Sequence, residues 1–132
     1  MAITWQVHDS GRLDVVFAGP YTAEESERVM TDIYAQPGLS RPLRFLVDVR
    51  QTTPPDTEFV VRAITFWQLH ITDMWGARIA VVTATEGQMN MAGISSDTVE
   101  WRNLPFTVRP FRESEWEDAE LWLASAPDAS AP

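Results

Sequence analysis

LRFLVDVRQTTPPDTEFVVRAITFWQLHI, residues Leu43 to Ile71, sets three kinds of local sequence side by side. Leu43 to Val49 is a nearly unbroken apolar run of strand length, with Arg44 and Asp48 as its polar members. A strand of that kind is covered on both faces, as in the largely parallel sheet of an α/β protein, and this one is predicted to be central. Gln51 to Pro55 follows, where Pro54 and Pro55 lack amide donors and favour extended backbone, so a loop separates strand from helix. Asp56 or Thr57 then supplies the oxygen that caps the first free amides of the next helix.

From Phe59 to Ile71 the apolar residues are too many for one stripe of a surface helix. Val60, Ile64, Trp67 and Ile71 make one continuous face, while Phe59, Phe66 and Leu69 spread onto its flanks. One side meets the sheet. The other takes cover from another element of the chain, from a ligand, or from a second copy of the protein.

Upstream, Ile3 to Val7 and Leu13 to Phe17 flank the Ser10-Gly11 turn signal and predict an antiparallel hairpin. Thr22-Ala23-Glu24-Glu25 has capping-box spacing and opens a helix from about Ala23 to Gln36, ended by Pro37-Gly38, with Val29, Met30, Ile33 and Tyr34 on one side. Downstream, Ala77 to Thr83 reads as a second buried parallel strand. Met89, Met91, Ala92 and Ile94 suggest a short helix within Gly87 to Trp101, which Gly93, Ser95, Ser96 and Asp97 weaken or divide in two. Phe106 to Phe111 is a final strand, and Pro110 places it at an edge or a strand end. Ser114-Glu115-Trp116-Glu117 is a second capping-box pattern, opening a helix to about Ala124. The expected organisation is one domain over residues 1–124 and a frayed, flexible tail over residues 125–132, rich in Ala, Pro and Ser.

The 132 residues are enough to bury a core without staples, and the absence of cysteine excludes disulfides and thiol chemistry. Two isolated histidines, His8 and His70, offer little basis for a zinc site. Ten basic residues, all of them arginine, stand against nineteen acidic ones for a net charge of -9. Such a field repels nucleic acid and anionic lipid. No apolar run approaches the ~20 residues that span a bilayer, so no membrane insertion is expected. Nothing at the N-terminus has the pattern of a signal peptide, and the expected compartment is the cytoplasm.

The element order is thus β-β-α-β-α-β-α-β-α, with a mixed sheet of about five strands and about four helices. Together with the VDVR strand end and the PFRESEWEDAELWL terminus, that order resembles the STAS superfamily, especially bacterial SpoIIAA-like proteins. In anti-anti-sigma members of that superfamily a strand-ending Asp is followed, after a loop, by Asp-Ser-Ser-Gly at the start of a helix. The resemblance implies that Asp48 matches the first Asp, Asp56 the second, and Thr57 the phosphorylated Ser. Glu58 and Phe59 stand where Ser and Gly would be, so a phosphate on Thr57 would meet a like charge, and the small residue that admits a partner backbone is gone.

Asp48 and Arg50 lie at the carboxyl end of the central strand, where open α/β sheets place ligands, and Asp56 is expected to join them as a ligand or partner edge. The plainer role for Asp48, and the one favoured over ligand contact, is to accept amide bonds from the neighbouring loop. Gly93 to Asp97 lacks the second glycine of a nucleophile elbow, and the six glycines form no phosphate loop. No catalytic residue, metal or cofactor is predicted. The leading reading is a binding module, a homodimer or partner of another protein, that associates through the helix 59–71 with Phe59, Phe66, Trp67 and His70 at the contact. Two alternatives stand beside it: a carrier holding a small apolar or amphipathic ligand between that helix and the Met89 to Trp101 segment, and a regulator switched at Thr57.

Overall fold

The computed structural model describes residues 2–125. Of the expected tail, residues 126–132 lie outside the described residues, and Ser125 caps the last helix by donating its amide to Leu121. Strands β1 (Ile3–Val7) and β2 (Leu13–Ala18) form the antiparallel hairpin, and β3 (Arg44–Gln51), β4 (Arg78–Thr83) and β5 (Thr107–Arg112) continue the sheet in parallel. The order β1-β2-β3-β4-β5 follows the chain, so β3 is the middle strand. In register, Phe45 lies between Leu13 and Ile79, and Val47 between Val15 and Val81.

Helices α1 (Ala23–Tyr34), α2 (Thr57–Leu69) and α4 (Glu86–Trp101) are the three crossovers between parallel strands; α3 (Ile71–Met74) is a single turn after α2. Because each crossover steps to the next strand in the same direction and crossovers are right-handed, all three helices fall on one face. Ile3, Val15, Phe45 and Ile79 pack there against Val29, Ile33, Val60 and Ile64. Among the described residues only α5 (Trp116–Ala124) covers the opposite face, where Ala119 and Leu123 meet Leu46, Ala80, Val82 and Phe111. Arg12 fastens α5 to the hairpin, donating to Asp14 and to Glu120, both at 2.8 Å.

Four local expectations need correction. The first helix stops at Tyr34, not Gln36, and Gly38 takes a positive φ of 77° beyond it. Thr22 accepts from the Glu25 amide, but the Glu25 carboxylate accepts from the Ile3 amide at 3.1 Å instead of returning to the cap. It thereby ties α1 to β1. The stretch Gly87 to Trp101 is neither short nor divided: α4 runs unbroken for 16 residues. Its start is a reciprocal box in which Thr85 accepts from the Gln88 amide and Gln88 accepts from Thr85, while buried Ala92 and Val99 hold the weak helix formers in place. Finally, the box before the last helix lies further upstream, where Glu115 accepts from the Arg112 amide at 2.8 Å and a 3-10 turn (Glu113–Glu115) leads into α5. Pro110 is on β5, an edge strand, as its missing donor requires.

Candidate functional site

The three crossover helices all begin at the carboxyl edge of the sheet, each with a side-chain cap. Thr22 accepts from Glu25, Asp56 from Phe59 at 2.8 Å, and Thr85 from Gln88. The loop between β3 and α2 is pinned to its neighbours on both sides. Thr52 donates its hydroxyl to the Gly19 carbonyl at 2.7 Å, and buried Gln88 donates to the Thr52 carbonyl at 2.7 Å. A Cβ at position 87 would stand 3.1 Å from Pro54 Cγ, so Gly87 is what lets this loop lie against the start of α4.

Beneath that edge, between the sheet and the helices α1, α2 and α4, is a cavity of about 120 Å³. Phe45, Val47, Ile79 and Val81 form its floor, Val29 and Met30 its α1 wall, and Val60, Ile64, Met91 and Ala92 its roof. An aromatic chain stands beside it: Tyr21 meets Phe17 edge-on at 4.8 Å and Phe59 edge-on at 5.0 Å. At the other end Trp67 lines the cavity and meets Phe106 edge-on at 6.0 Å. Gln88 also faces the space, but its amide already serves Ala84, Thr85 and Thr52. Burial foremost, and then the Asp56 charge, push the Tyr21 phenol up to about 12, so it stays a neutral donor.

Of the predicted edge, Asp48 and Arg50 are joined to each other, while Asp56 caps α2. Val47 packs on the three-helix face, so its neighbour Asp48 points to the α5 side, level with Val82. There its Oδ1 accepts from the Arg50 amide and Nε, both at 3.0 Å, and its Oδ2 from Nη2 at 2.9 Å. Burial acts most strongly and would raise the Asp48 carboxyl, yet the combined Arg50 bonds and charge hold it below the ordinary value. Arg50 also lies 4.9 Å over the Trp116 ring and 3.7 Å from Glu113. Asp56 is spent on its helix cap. Among the described residues no group of three or more His, Asp or Glu is placed to hold a metal.

The apolar surplus of α2 is mostly covered within the chain. It is the middle of three parallel helices, so both flanks have neighbours. Phe66 packs 4.6 Å from His70, and His70 stacks on Tyr34 of α1 at 5.1 Å. Phe59 sits against Tyr21 and Trp67 against Phe106. On this helix Val61 and Leu69 are the large apolar side chains left exposed.

A model of the SpoIIAA-like family matches residues 12–124. The chain belongs to the SpoIIAA-like family. An uncharacterised protein of the DUF3478 family from Shewanella loihica, solved with a SpoIIAA-like fold, superposes with a TM-score of 0.59 at 18% identity, over 92% of each chain. At that identity the likeness shows the fold alone. No curated protein matches the chain.

In this SpoIIAA-like chain Asp56 is the cap and Thr57 the first residue of α2, exposed beside exposed Glu58. Phe59, at the position of the motif's glycine, is half-buried in the cavity wall. The loop that resembles a phosphorylation site is therefore also the rim of an apolar cavity. Tyr21 and Gln88 are the rim residues that sequence reading passed over. The signal for Gln88 was its spacing from Thr85; for Tyr21, following Gly19-Pro20, there was none.

Proposed function

We propose that this protein is a non-catalytic STAS-type binding module that holds a small apolar or amphipathic molecule between the sheet and helices α1, α2 and α4. The observation that carries this reading is the cavity itself, an apolar space of about 120 Å³ walled by Val60, Ile64 and Met91. Interiors are packed to crystal density, so a space of this size is a departure that needs an occupant or a reason. Native mass spectrometry of freshly purified protein tests it. A co-purifying small-molecule mass supports the reading, and protein of bare mass that no apolar probe stabilises against heat would sink it.

Self-association is a second reading, favoured by a different observation. Leu69 is 77% exposed and Trp101 85% exposed, at ends of α2 and α4 that Arg102 links by donating to Thr65 and Gln68. Two large apolar side chains left in water on neighbouring helix ends suit a contact with a second copy.

A further inference from the structure

The walls of the cavity restrict the chemistry of its guest, and this inference rests on the binding function proposed above. Among the described residues that line it there is no Asp, Glu, Arg or His. The polar side-chain groups it offers are neutral ones, the hydroxyls of Tyr21, Ser26 and Thr53, the indole N–H of Trp67, the Ser95 hydroxyl that donates to the Met91 carbonyl at 3.1 Å, and the committed amide of Gln88. Two carboxylates stand against lining residues: Glu25, held on the amide of Ile3 at 3.1 Å, and Asp56, capping α2 on the amide of Phe59 beside Tyr21. A carboxylate or phosphate guest would lose its water, meet no cationic side chain in the lining and stand near two like charges. The volume sets the second limit. At about 120 Å³ the space is close to that of apolar cavities that admit a single benzene-sized ring, and far short of an extended acyl chain.

We propose that the cavity selects an uncharged, compact molecule of about one ring, with a hydroxyl or carbonyl group to meet the hydroxyls of its rim, and rejects anions and long chains. The full-length protein is titrated with benzyl alcohol, benzoate and decan-1-ol, following the methyl resonances of Ile64, Val60 and Met91 by NMR. Saturable shifts with benzyl alcohol are expected, with benzoate weaker by roughly tenfold or more. Benzoate binding as tightly as the alcohol would overturn the charge selection while leaving the cavity a binding site. Decan-1-ol binding much more tightly than benzyl alcohol would overturn the size limit in the same way. Silence from all three probes would remove the binding function itself. Ala92→Leu fills the space from a buried position on α4 and is expected to abolish the benzyl alcohol shifts with the fold intact by circular dichroism. Ala63→Leu does the same from α2 if the first variant fails to fold. Wild-type affinity in a folded filled variant would place the probe elsewhere and overturn the proposal.

Discussion

Gln88, on the first turn of α4, donates its side-chain amide to the backbone carbonyl of Thr52 at 2.7 Å, across 36 residues of chain. Its Oε1 meanwhile accepts from the amides of Ala84 at 2.7 Å and Thr85 at 3.2 Å. One side chain thus starts a helix and fastens the loop of the neighbouring crossover over the cavity rim.

Gln88→Ala leaves the carbonyl of buried Thr52 without its partner, whereas the amide of exposed Ala84 turns to water. The expected loss is about 1–3 kcal/mol of unfolding free energy, since a stranded buried polar group loses more than an average hydrogen bond supplies. Urea denaturation measures it. A loss within about 0.5 kcal/mol, the range of an ordinary surface change, would mean that the loop is held by other contacts.

How far such a connection can be read from sequence depends on its range. The strand, loop and helix of Leu43 to Ile71 are legible because apolar run length, paired prolines and a helical stripe are local properties. So is the hairpin. The continuity of α4 was harder, because Gly93, Ser95, Ser96 and Asp97 argue against helix locally and are overruled by burial of Ala92 and Val99. The Glu25 bond to Ile3 was not legible at all, since a carboxylate that could close its own capping box is drawn to an unpaired strand amide 22 residues away. The cavity is a gap between three helices and a sheet, and no single segment encodes it. For the same reason the surplus on α2 was visible while its cover by Tyr34 and Phe106 was not.

The two candidate caps of α2 make a clean comparison. Asp56 accepts from the Phe59 amide at 2.8 Å, whereas Thr57 is already the first helical residue. Asp56→Ala is expected to lower stability by about 1 kcal/mol through the lost cap, and Thr57→Ala to change it by only a few tenths. Thermal unfolding of the two variants side by side checks the assignment. The reverse order would make Thr57 the cap.

Asp48 gives the acid limb of stability a defined sign. Burial, its largest influence, raises the carboxyl, but the bonds and charge from Arg50 together leave it below its ordinary value of 3.8. A carboxyl depressed in the folded state contributes stability that is complete above the unfolded value and fades as the pH falls through the folded one. The advantage of the wild type over Asp48→Asn is therefore expected to be greatest above the ordinary carboxylate range and to shrink on acidification. Urea midpoints of both proteins across the acid range measure this, and a difference that does not vary with pH would contradict it.

Self-association needs a variant that removes the contact without damaging the fold. Phe66→Glu is a poor choice. Phe66 packs 4.6 Å from His70, which stacks on Tyr34, so a carboxylate there strands a charge between α1 and α2 and destabilises the monomer itself. Leu69→Glu and Trp101→Glu act instead at side chains 77% and 85% exposed, where the fold is expected to lose no more than about 0.5 kcal/mol. If the ends of α2 and α4 meet a second copy, light scattering gives twice the chain mass for the wild type and the single mass for both variants, with melting temperatures little changed. A wild-type protein of single mass, or variants that still double, would leave those two side chains as ordinary exposed surface.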